Sequence, residues 1–265
     1  MIIETFRQAI QNVWSNKLRT FLTMLGIIIG VMAVIVIVGL GNGMTKSMRD
    51  SFSALGTNTL SVQVWGNGSR TVPVEEMYKL PTKYPELIQS ISPQIDFSGS
   101  GTLKIGTTSY RWSNISGVDE NYSAMKNYQI AQGRGLQYMD IKDNKQVCVI
   151  GDYLAQAAFR GDALGKTISL SGVPYTVIGV LSKSGDSSEG SADDVIYIPY
   201  ENAQRMGTGT MMMGTGEMFL LTSTSRDTAS AAKGIVEKRL YKTYQSSDYY
   251  MVMTSAEMMD AMNTM

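Results

Sequence analysis

Residues 21–40 read FLTMLGIIIGVMAVIVIVGL, and the longer run from Thr20 to Thr45 carries no charged side chain. At the helical rise, twenty residues span roughly 30 Å, which is about the thickness of the hydrocarbon core of a bilayer. Backbone N–H and C=O groups in hydrocarbon must be paired within the segment, so an isolated span is helical despite its many Ile and Val residues. We therefore predict a transmembrane helix over residues 18–42.

A cleaved signal peptide is the competing interpretation of this run. The apolar region of a signal peptide is about 7–15 residues long and precedes a small-residue cleavage site. The run here is longer, and the sequence after it, Gly41-Asn-Gly-Met-Thr-Lys46, has no such pattern. Nearby basic residues are Arg7, Lys17 and Arg19 before the span, and Lys46 and Arg49 after it. This balance predicts one span in the cell (inner) membrane, a cytoplasmic N-terminus and an extracytoplasmic bulk.

The sequences on either side of the span also have helical periodicity. Apolar residues recur at three- and four-residue spacing in residues 1–16, which predicts an amphipathic helix in the lipid headgroup layer. Packing of this helix against a partner protein is the alternative. Trp14, Lys17 and Arg19 are the predicted interfacial anchors. After the span, Met44, Met48, Phe52 and Leu55 predict a helical stalk over residues 43–56, with Gly56 as its C-cap.

Two pairs of glycines lie four residues apart in the span, Gly26 with Gly30 and Gly39 with Gly43. Small residues one turn apart allow a second helix to approach closely in a membrane. We therefore predict that these four glycines pack against another transmembrane helix.

Composition excludes several classes of function. The 23 basic and 23 acidic residues balance, so no overall field attracts nucleic acid. Histidine, the commonest general base and metal ligand, is absent. The single cysteine, Cys148, lies between apolar neighbours and is predicted to pack as a small apolar residue. We therefore predict neither an enzyme nor a nucleic-acid-binding protein.

Three local patterns resemble ligand sites and are better explained otherwise. The segment Gly161-Asp-Ala-Leu-Gly-Lys-Thr167 has one residue too few for a phosphate-binding loop, and a strand rather than a helix is predicted after it. The 19 methionines lack Cys or His partners for Cu(I), so flexible apolar packing is favoured. A mobile surface loop is predicted from Lys183 to Asp193. The acidic residues in and directly after it do not have the spacing of a Ca²⁺-binding loop: Asp186, Glu189, Asp193 and Asp194. We therefore predict no cofactor bound by this chain.

The remaining sequence predicts an α+β fold. A polar helical patch that contains prolines is predicted from Val74 to about Ser90. Within it, a helix near Pro85–Ser90 forms one β-α-β pattern with a strand over Thr59–Trp65 and an extended piece after Ile91. Strand Glu217–Thr224, helix Asp227–Leu240 and strand Asp248–Thr254 form a second. Short strands lie between them: Gly101 to about Ser109, Tyr110 to about Gly117, Lys145–Ile150, a hairpin of Thr167–Leu170 with Tyr175–Leu181 turning at Ser171–Pro174, and Val195–Pro199.

These patterns predict two lobes outside the membrane. A membrane-near, porter-like β-α-β lobe contains residues 57–105 and 200–254, and a strand-rich lobe of residues 106–199 is inserted into it. Residues 255–265 are predicted to begin a helix toward a second span that this sequence does not include.

Several segments resemble one family, the permease subunits of MacB-like (type VII) ABC transporters, over nearly the whole chain. The segments are Asn16-Lys-Leu-Arg-Thr-Phe-Leu-Thr-Met-Leu-Gly-Ile-Ile-Ile-Gly-Val-Met-Ala-Val-Ile35, Leu55-Gly-Thr-Asn-Thr-Leu-Ser-Val62, Gly133-Arg-Gly with Asp140, Gly165-Lys-Thr-Ile-Ser-Leu170 with Val177-Ile-Gly-Val-Leu181, and Asp194-Val-Ile-Tyr-Ile-Pro199. The resemblance implies a first transmembrane helix, a two-lobed extracytoplasmic domain and three further spans. Those further spans are missing from this sequence, as expected of a truncated permease or a fragment.

The resemblance also implies a function and partners. The resemblance implies an ATPase on a separate subunit, as in those relatives that keep it apart. Helical stalks then transmit ATP-driven closing of the cytoplasmic side to the extracytoplasmic lobes, which expel peptides, lipopeptides or drugs. The implied partners are that ATPase, a second permease copy or paralogue, membrane lipid and a periplasmic adaptor. Two alternatives belong to other classes: an FtsX-like membrane regulator of an extracellular partner such as a wall hydrolase, and a signal-anchored binding module.

The predicted topology is testable by cysteine labelling in intact cells. A cysteine introduced at Gly68 reacts with a membrane-impermeant reagent, because the sequence after the uncleaved span lies outside, whereas one at Gln8 does not. Labelling at Gln8 alone would show that the orientation is reversed.

Overall fold

The computed structural model of the chain describes residues 4–5, 7–8, 14–54, 58–65, 72–96, 102–110, 114–185, 187–207 and 217–263. The chain forms two compact units, residues Met1–Asp50 and residues Ser51–Met265.

The helices of the described residues include a long N-terminal helix and shorter ones that alternate with strands. In chain order they are α1 Lys17–Ala54, α2 Val74–Lys83, α3 Tyr122–Met125, α4 Tyr138–Lys142, α5 Asp152–Phe159, α6 Tyr200–Gly207, α7 Ala229–Tyr244 and α8 Ser255–Asn263, with a 3-10 turn at Ser247–Tyr249 before the last strand. Helix α1 runs without a break through the predicted span and into the predicted stalk. Most of residues 1–16 and the predicted cap at Gly56 lie outside the described residues.

The strands are β1 Thr59–Val64, β2 Ile88–Asp96, β3 Leu103–Ile105, β4 Thr108–Tyr110, β5 Asn114–Val118, β6 Ile130–Gly133, β7 Val147–Ile150, β8 Thr167–Leu170, β9 Val173–Leu181, β10 Val195–Pro199, β11 Glu217–Ser223 and β12 Tyr250–Thr254. They form one sheet in the order β12-β1-β11-β2-β5-β10-β7-β9-β8-β3-β4, with β6 paired to β9.

Two interlocked β-α-β units form one end of this sheet. Strand β1 lies between β11 and β12 and is antiparallel to both, so β11 and β12 run parallel and α7 connects them. Strand β2 is antiparallel to β11, so β1 and β2 also run parallel, with α2 between them in the chain. We call this group (β1, α2, β2, β11, α7 and β12) the split half. Residues 59–65 and 217–224, which were predicted to belong to one lobe, contribute the paired strands β1 and β11.

The inserted half consists of strands β3 to β10 and helices α3 to α6. Each half has its own apolar cluster, built around Leu221 and Val236 in the split half and around Ile150 and Ile196 in the inserted half. Pairing of β2 with β5 joins the halves, and Leu220 of β11 packs into a third cluster made otherwise of inserted-half residues. The α+β fold class with a strand-rich insertion is therefore confirmed.

The structure corrects several predicted boundaries. Helix α2 ends at Lys83, before Pro85, because a residue that precedes proline is disfavoured in helical conformation; Ile88 to Ser90 are strand instead. The strand predicted from Gly101 to about Ser109 is a hairpin that turns at Gly106, where φ is +59°. The other hairpin turns at Ser171-Gly172, so Val173 and Pro174 belong to β9.

The insertion is also larger than the predicted residues 106–199. Strand β3 precedes residue 106, yet it pairs with β8 of the inserted half. Helix α6 follows residue 199, yet its Ala203 is buried in the inserted-half cluster. Both changes result from pairing and packing, which the local sequence pattern does not contain.

Helix α6 packs closely on β5 at a glycine. A Cβ added at Gly117 would lie 1.9 Å from the Cβ of Ala203, so only glycine allows this approach.

We expect Gly117→Ala to lower the free energy of unfolding by about 1–3 kcal/mol through overpacking. Adding Ala203→Gly removes the colliding Cβ, so the double variant recovers part of the loss despite the cost of about 1 kcal/mol for glycine in a helix. Denaturant unfolding of the unaltered protein, the two single variants and the double variant gives the coupling energy between positions 117 and 203. Strictly additive effects would contradict the contact.

Candidate functional site

The first candidate surface is the apolar helix. Every described side chain from Phe21 to Met44 is exposed, which distinguishes this segment from the buried core helix of a soluble domain. By length and composition it is the one helix among the described residues that is able to cross a membrane.

The four predicted packing glycines lie on this helix in two groups. Residues advance by about 100° along a helix, so Gly26 and Gly30 share one face, and Gly39 and Gly43 share another. Gly30 and Gly39 are nine residues apart, which is about two and a half turns, so the two pairs face opposite sides. A Cβ added at any of the four meets nothing within 4 Å. The helix therefore has two separate shallow grooves, and their packing against other helices remains a prediction.

The predicted anchors lie together before the span. Trp14 is exposed, and the Lys17 ammonium lies 5.2 Å from the centroid of its ring, within the range of a cation–π contact. Arg19 is exposed one residue before Thr20, and its carbonyl accepts a hydrogen bond from the Thr23 hydroxyl at 3.1 Å. An aromatic ring with cations beside it suits the headgroup region, so the anchoring role remains consistent with the sequence.

The second candidate site is where the chain passes into and out of the sheet. Strand β1 begins five residues after α1 ends at Ala54, and α8 begins directly after β12. Because β1 pairs with β12, the incoming and outgoing segments meet at the same end of the sheet. The sequence predicts a strand over Thr59–Trp65 but contains no local signal for this meeting point.

Hydrogen bonds fix the incoming and outgoing segments to each other. The Thr59 and Ser255 hydroxyl oxygens lie 2.5 Å apart, and the Ser255 hydroxyl also donates to the Thr59 carbonyl at 3.0 Å. Both residues are buried, 196 positions apart in the chain. Beside them, the Asn58 side-chain amide donates to the Ser223 carbonyl at 2.8 Å, and the Ser223 backbone N–H donates to the Asn58 carbonyl at 2.8 Å. We call Asn58, Thr59, Ser223 and Ser255 the clasp.

The start of α8 has further support. The Thr254 amide donates to the Glu257 carboxylate at 2.9 Å, and the Glu257 amide donates to the Thr254 hydroxyl at 3.2 Å, which is a reciprocal capping box. Glu257 also pairs with Lys233 of α7 at 2.7 Å. Burial by itself raises the pKa of Glu257, but hydrogen bonds from Lys233 and the Thr254 amide outweigh burial and hold this pKa below its ordinary value.

The motif Gly133-Arg-Gly with Asp140 forms a polar contact that holds a turn. Arg134 binds the Asp140 carboxylate through both terminal nitrogens, at 2.5 and 3.1 Å, and the Gln137 amide donates to it at 3.0 Å. The Arg134 hydrogen bonds lower the pKa of the buried Asp140 carboxyl. Gly133 has φ +74°, and a Cβ there would lie 2.2 Å from the Ile178 carbonyl oxygen.

A second buried carboxyl links the two halves. Tyr78 of α2 donates to Asp119, the residue after β5, at 3.0 Å, and the amides of Asn121 and Tyr122 donate to the same carboxyl. Burial raises the pKa of Asp119, and hydrogen bonds from Ser92, Tyr78 and Asn121 offset only part of this increase. Asp119 and Asp140 are therefore both buried and bonded, but their pKa values move in opposite directions.

The acidic loop is more ordered than predicted. Asp193 is buried and accepts hydrogen bonds from the Ser184 amide and hydroxyl at 3.0 and 2.6 Å, and Asp194 is buried and accepts from the Gly190 amide at 2.9 Å. The prediction of a solvated mobile loop is therefore wrong for these two residues, because the carboxylates bond the loop backbone. Among the described residues, which exclude Asp186, no group of three or more acidic, cysteine or histidine side chains is arranged to hold a metal. Cys148 is buried, as predicted.

The described residues form an α+β domain in which a strand-rich half is inserted into a split β-α-β sheet, and the chain before it carries an apolar helix long enough to cross a membrane. The profile of the MacB-like periplasmic core domain matches residues 20–238, and the chain belongs to this family.

Sequence relatives support this assignment. The chain is 30% identical over 261 residues to the "Macrolide export ATP-binding/permease protein MacB" of Aggregatibacter actinomycetemcomitans, covering 96% of this chain and 39% of that protein. It is 32% identical over 257 residues to the protein of the same name in Neisseria gonorrhoeae, covering 94% and 39%. The chain therefore spans about two fifths of the length of these relatives.

Solved structures share the fold. The periplasmic region of MacB from Actinobacillus actinomycetemcomitans superposes with a TM-score of 0.60 at 22% identity, over 81% of this chain and 96% of that one. The extracellular domain of the noncanonic ABC-type transporter YknZ from Gram-positive bacteria superposes with a TM-score of 0.56 at 18% identity, over 74% and 100%.

The two buried carboxyls, Asp140 and Asp119, are expected to respond differently when each is replaced by a neutral amide. At pH 7 we expect Asp140→Asn to lower the free energy of unfolding by about 1–3 kcal/mol, the lower part of this range being favoured because Arg134 is partly exposed. Asp140 has a lowered pKa, so its contribution is present above its unfolded pKa of about 3.9 and is lost as pH falls through its folded pKa.

Asp119 has a raised pKa, so burial of its charge opposes folding at neutral pH, and its favourable contribution is present only at low pH. We expect Asp119→Asn to change stability by less than about 1 kcal/mol at pH 7, since the amide oxygen keeps the backbone hydrogen bonds. Denaturant unfolding at pH 7 and at low pH compares the two variants. An equal loss for both at pH 7 would contradict the opposite pKa shifts.

Proposed function

We propose that this chain is the anchored, extracytoplasmic part of the permease of a MacB-like ABC exporter. In this proposal a separate ATPase subunit binds and hydrolyses ATP, and the chain itself is not an enzyme and binds no cofactor. The exported compounds are peptides, lipopeptides or drugs. The other partners are a second permease copy or paralogue, membrane lipid and a periplasmic adaptor, and the N-terminus is cytoplasmic.

The observation that carries the proposal is the family assignment together with the path of α1. At 1.5 Å per residue, the 38 residues of α1 span about 57 Å, well beyond the roughly 30 Å of a hydrocarbon core. The helix therefore has several turns to spare outside the hydrocarbon, as a stalk requires. It ends five residues before β1, a strand with partners on both sides.

This connection supports transmission rather than passive anchoring. A flexible linker would absorb a displacement, whereas a continuous helix such as α1 resists bending. A displacement of α1 would thus act on the middle of the split half. Among the described residues of the domain, no group of three or more His, Cys, Asp or Glu side chains is placed to hold a metal ion. The sequence also contains no histidine.

Assembly through the span tests the proposal. The full-length protein is co-expressed with an ABC-type ATPase subunit, and ATP hydrolysis is measured in lipid nanodiscs after co-purification. We expect Gly26→Leu with Gly30→Leu to abolish co-purification and the stimulated hydrolysis, because leucine fills a groove that close helix packing needs, while membrane insertion is retained.

The matched control is Ile27→Leu with Ile28→Leu, which adds no bulk and leaves assembly unchanged. Co-purification of the glycine variant at the level of the unaltered protein would refute the packing role. An unaltered protein that binds no ATPase but co-purifies with a wall hydrolase would replace the exporter with a membrane regulator.

A further inference from the structure

We propose that the hydrogen bond between Tyr78 and Asp119 is a proton-controlled latch between α2 and the inserted half, closed while the Asp119 carboxyl is charged and released when this carboxyl takes up a proton. Tyr78 belongs to α2 of the split half, and Asp119 follows β5 of the inserted half. Both lie in one compact unit, residues Ser51–Met265. The latch is a property of this domain by itself, so it goes beyond the proposed export function and does not depend on it.

Helix α2 contacts both halves of the domain. Met77 and Leu80 are buried in the apolar cluster of the split half, and this face keeps α2 on its own half. Tyr78 follows Met77, about 100° farther around the helix, and its hydroxyl donates to Asp119 Oδ2 at 3.0 Å. The other described side-chain hydrogen bonds of α2 stay within the split half. Loss of the Tyr78 bond therefore frees α2 from the inserted half without removing it from its own core.

Four donors surround the Asp119 carboxyl. The backbone amides of Asn121 and Tyr122 donate to Oδ1 at 3.0 and 3.2 Å, while the Asn121 side-chain amide and the Tyr78 hydroxyl donate to Oδ2 at 3.3 and 3.0 Å. A charged carboxylate offers about four lone-pair sites, whereas a protonated one uses one oxygen to donate. One of the four donors must therefore give way when Asp119 takes up a proton.

Tyr78 is the donor that is able to leave. Asn121 and Tyr122 lie in the turn that opens α3, directly after Asp119, so their amides stay beside Oδ1 while that turn is intact. Tyr78 comes from a different element and is 39% exposed, so its hydroxyl finds water when it turns away. A proton on Oδ2 also removes the charge that strengthens the Tyr78 bond, because hydrogen bonds to ionised acceptors are about twice as strong as neutral ones. Protonation thus acts on the contact between the halves.

The titratable groups around this contact favour release in mild acid. Burial raises the pKa of Asp119, and the described groups of β2 and of the start of α3 that act on it are uncharged, among them the Ser92 hydroxyl. Burial, and then the Asp119 charge, raise the pKa of Glu120. Burial, Asp119, Glu120 and Tyr200 of α6 raise the pKa of Tyr78, which therefore remains a hydroxyl donor. Because the folded-state pKa of Asp119 is raised, the folded protein binds this proton more tightly than the unfolded chain does, and its uptake does not unfold the domain.

Release of Tyr78 loosens the junction without separating the halves. Strands β2 and β5 remain paired over Gln94–Asp96 and Ser116–Val118, through backbone groups that do not titrate. Leu220 of β11 also stays packed among inserted-half residues. The latch therefore changes how α2 rests on the inserted half about a junction that stays intact. In the proposed topology it responds to the pH outside the membrane.

Fluorine NMR tests the latch in the full-length protein in lipid nanodiscs. A fluorotyrosine is incorporated only at position 78, and its signal is followed from about pH 7.5 to about pH 4, with a two-state titration expected above the ordinary aspartate pKa of about 3.9. In Asp119→Asn we expect the released signal already at neutral pH and no titration, because the amide nitrogen replaces the oxygen that accepts from Tyr78. The matched control is Glu120→Gln, which removes the neighbouring carboxyl and keeps the titration.

A reciprocal measurement uses Tyr78→Phe, which keeps the ring and removes the hydroxyl. The Tyr78 bond favours the charged form of Asp119, so its loss makes the carboxyl easier to protonate. We expect the midpoint of the Asp119 carboxyl carbon signal to rise by about one pH unit, a tenfold change in proton affinity. The signal is assigned by its disappearance in Asp119→Asn. Amide hydrogen exchange in β7 and β10 reports whether the domain stays folded.

Several results would disprove the latch. A fluorine signal that does not change over this pH range is one, and the same titration in Asp119→Asn is another. A change that coincides with loss of amide protection in β7 and β10 would mean that acid unfolds the domain. Equal carboxyl midpoints in Tyr78→Phe and the unaltered protein would show that the two groups are not linked. None of these measurements needs an ATPase or an exported compound, so the latch and the proposed function are tested separately.

Discussion

The pairing of β1 with both β11 and β12 is the constraint on which the rest of the domain depends. Leu60, Val62 and Val64 point into the core of the split half, and a slip of one residue would turn all three out of it. The register also brings together residues more than 150 positions apart, such as Val62 and Phe219. The entropic cost of closing a loop grows only logarithmically with its length, so this pairing tolerates a long insertion between β2 and β11.

The same pairing decides where the chain enters and leaves the domain. Strand β1 follows α1, and β12 precedes α8, so an antiparallel pair of these strands brings the two connections to one end of the sheet. The polar residues there are buried and mutually bonded rather than solvated. The chain therefore enters and leaves the split half at one buried, hydrogen-bonded position.

The inserted half is joined to the split half by apolar packing and by one buried carboxyl. Leu220 projects from β11 into a cluster with Tyr122 and Tyr197, and Tyr78 reaches Asp119 across the junction. Nothing in the local sequence around Asp119 separates it from a solvated aspartate. The same holds for Asp193 and Asp194, which look like loop residues in the sequence but are buried by the backbone that folds around them.

The sequence by itself determined the apolar helix, the α+β class, most strands and helices and the family, because hydrophobic periodicity and turn residues are local signals. It also indicated that residues 59–65 and 217–224 belong together, since each begins a β-α-β pattern. Only the tertiary structure decided the strand order, the true extent of the insertion and the meeting of Thr59 with Ser255. These depend on contacts between residues far apart in the chain, and no local pattern of polarity specifies which distant hydroxyl a buried threonine will meet.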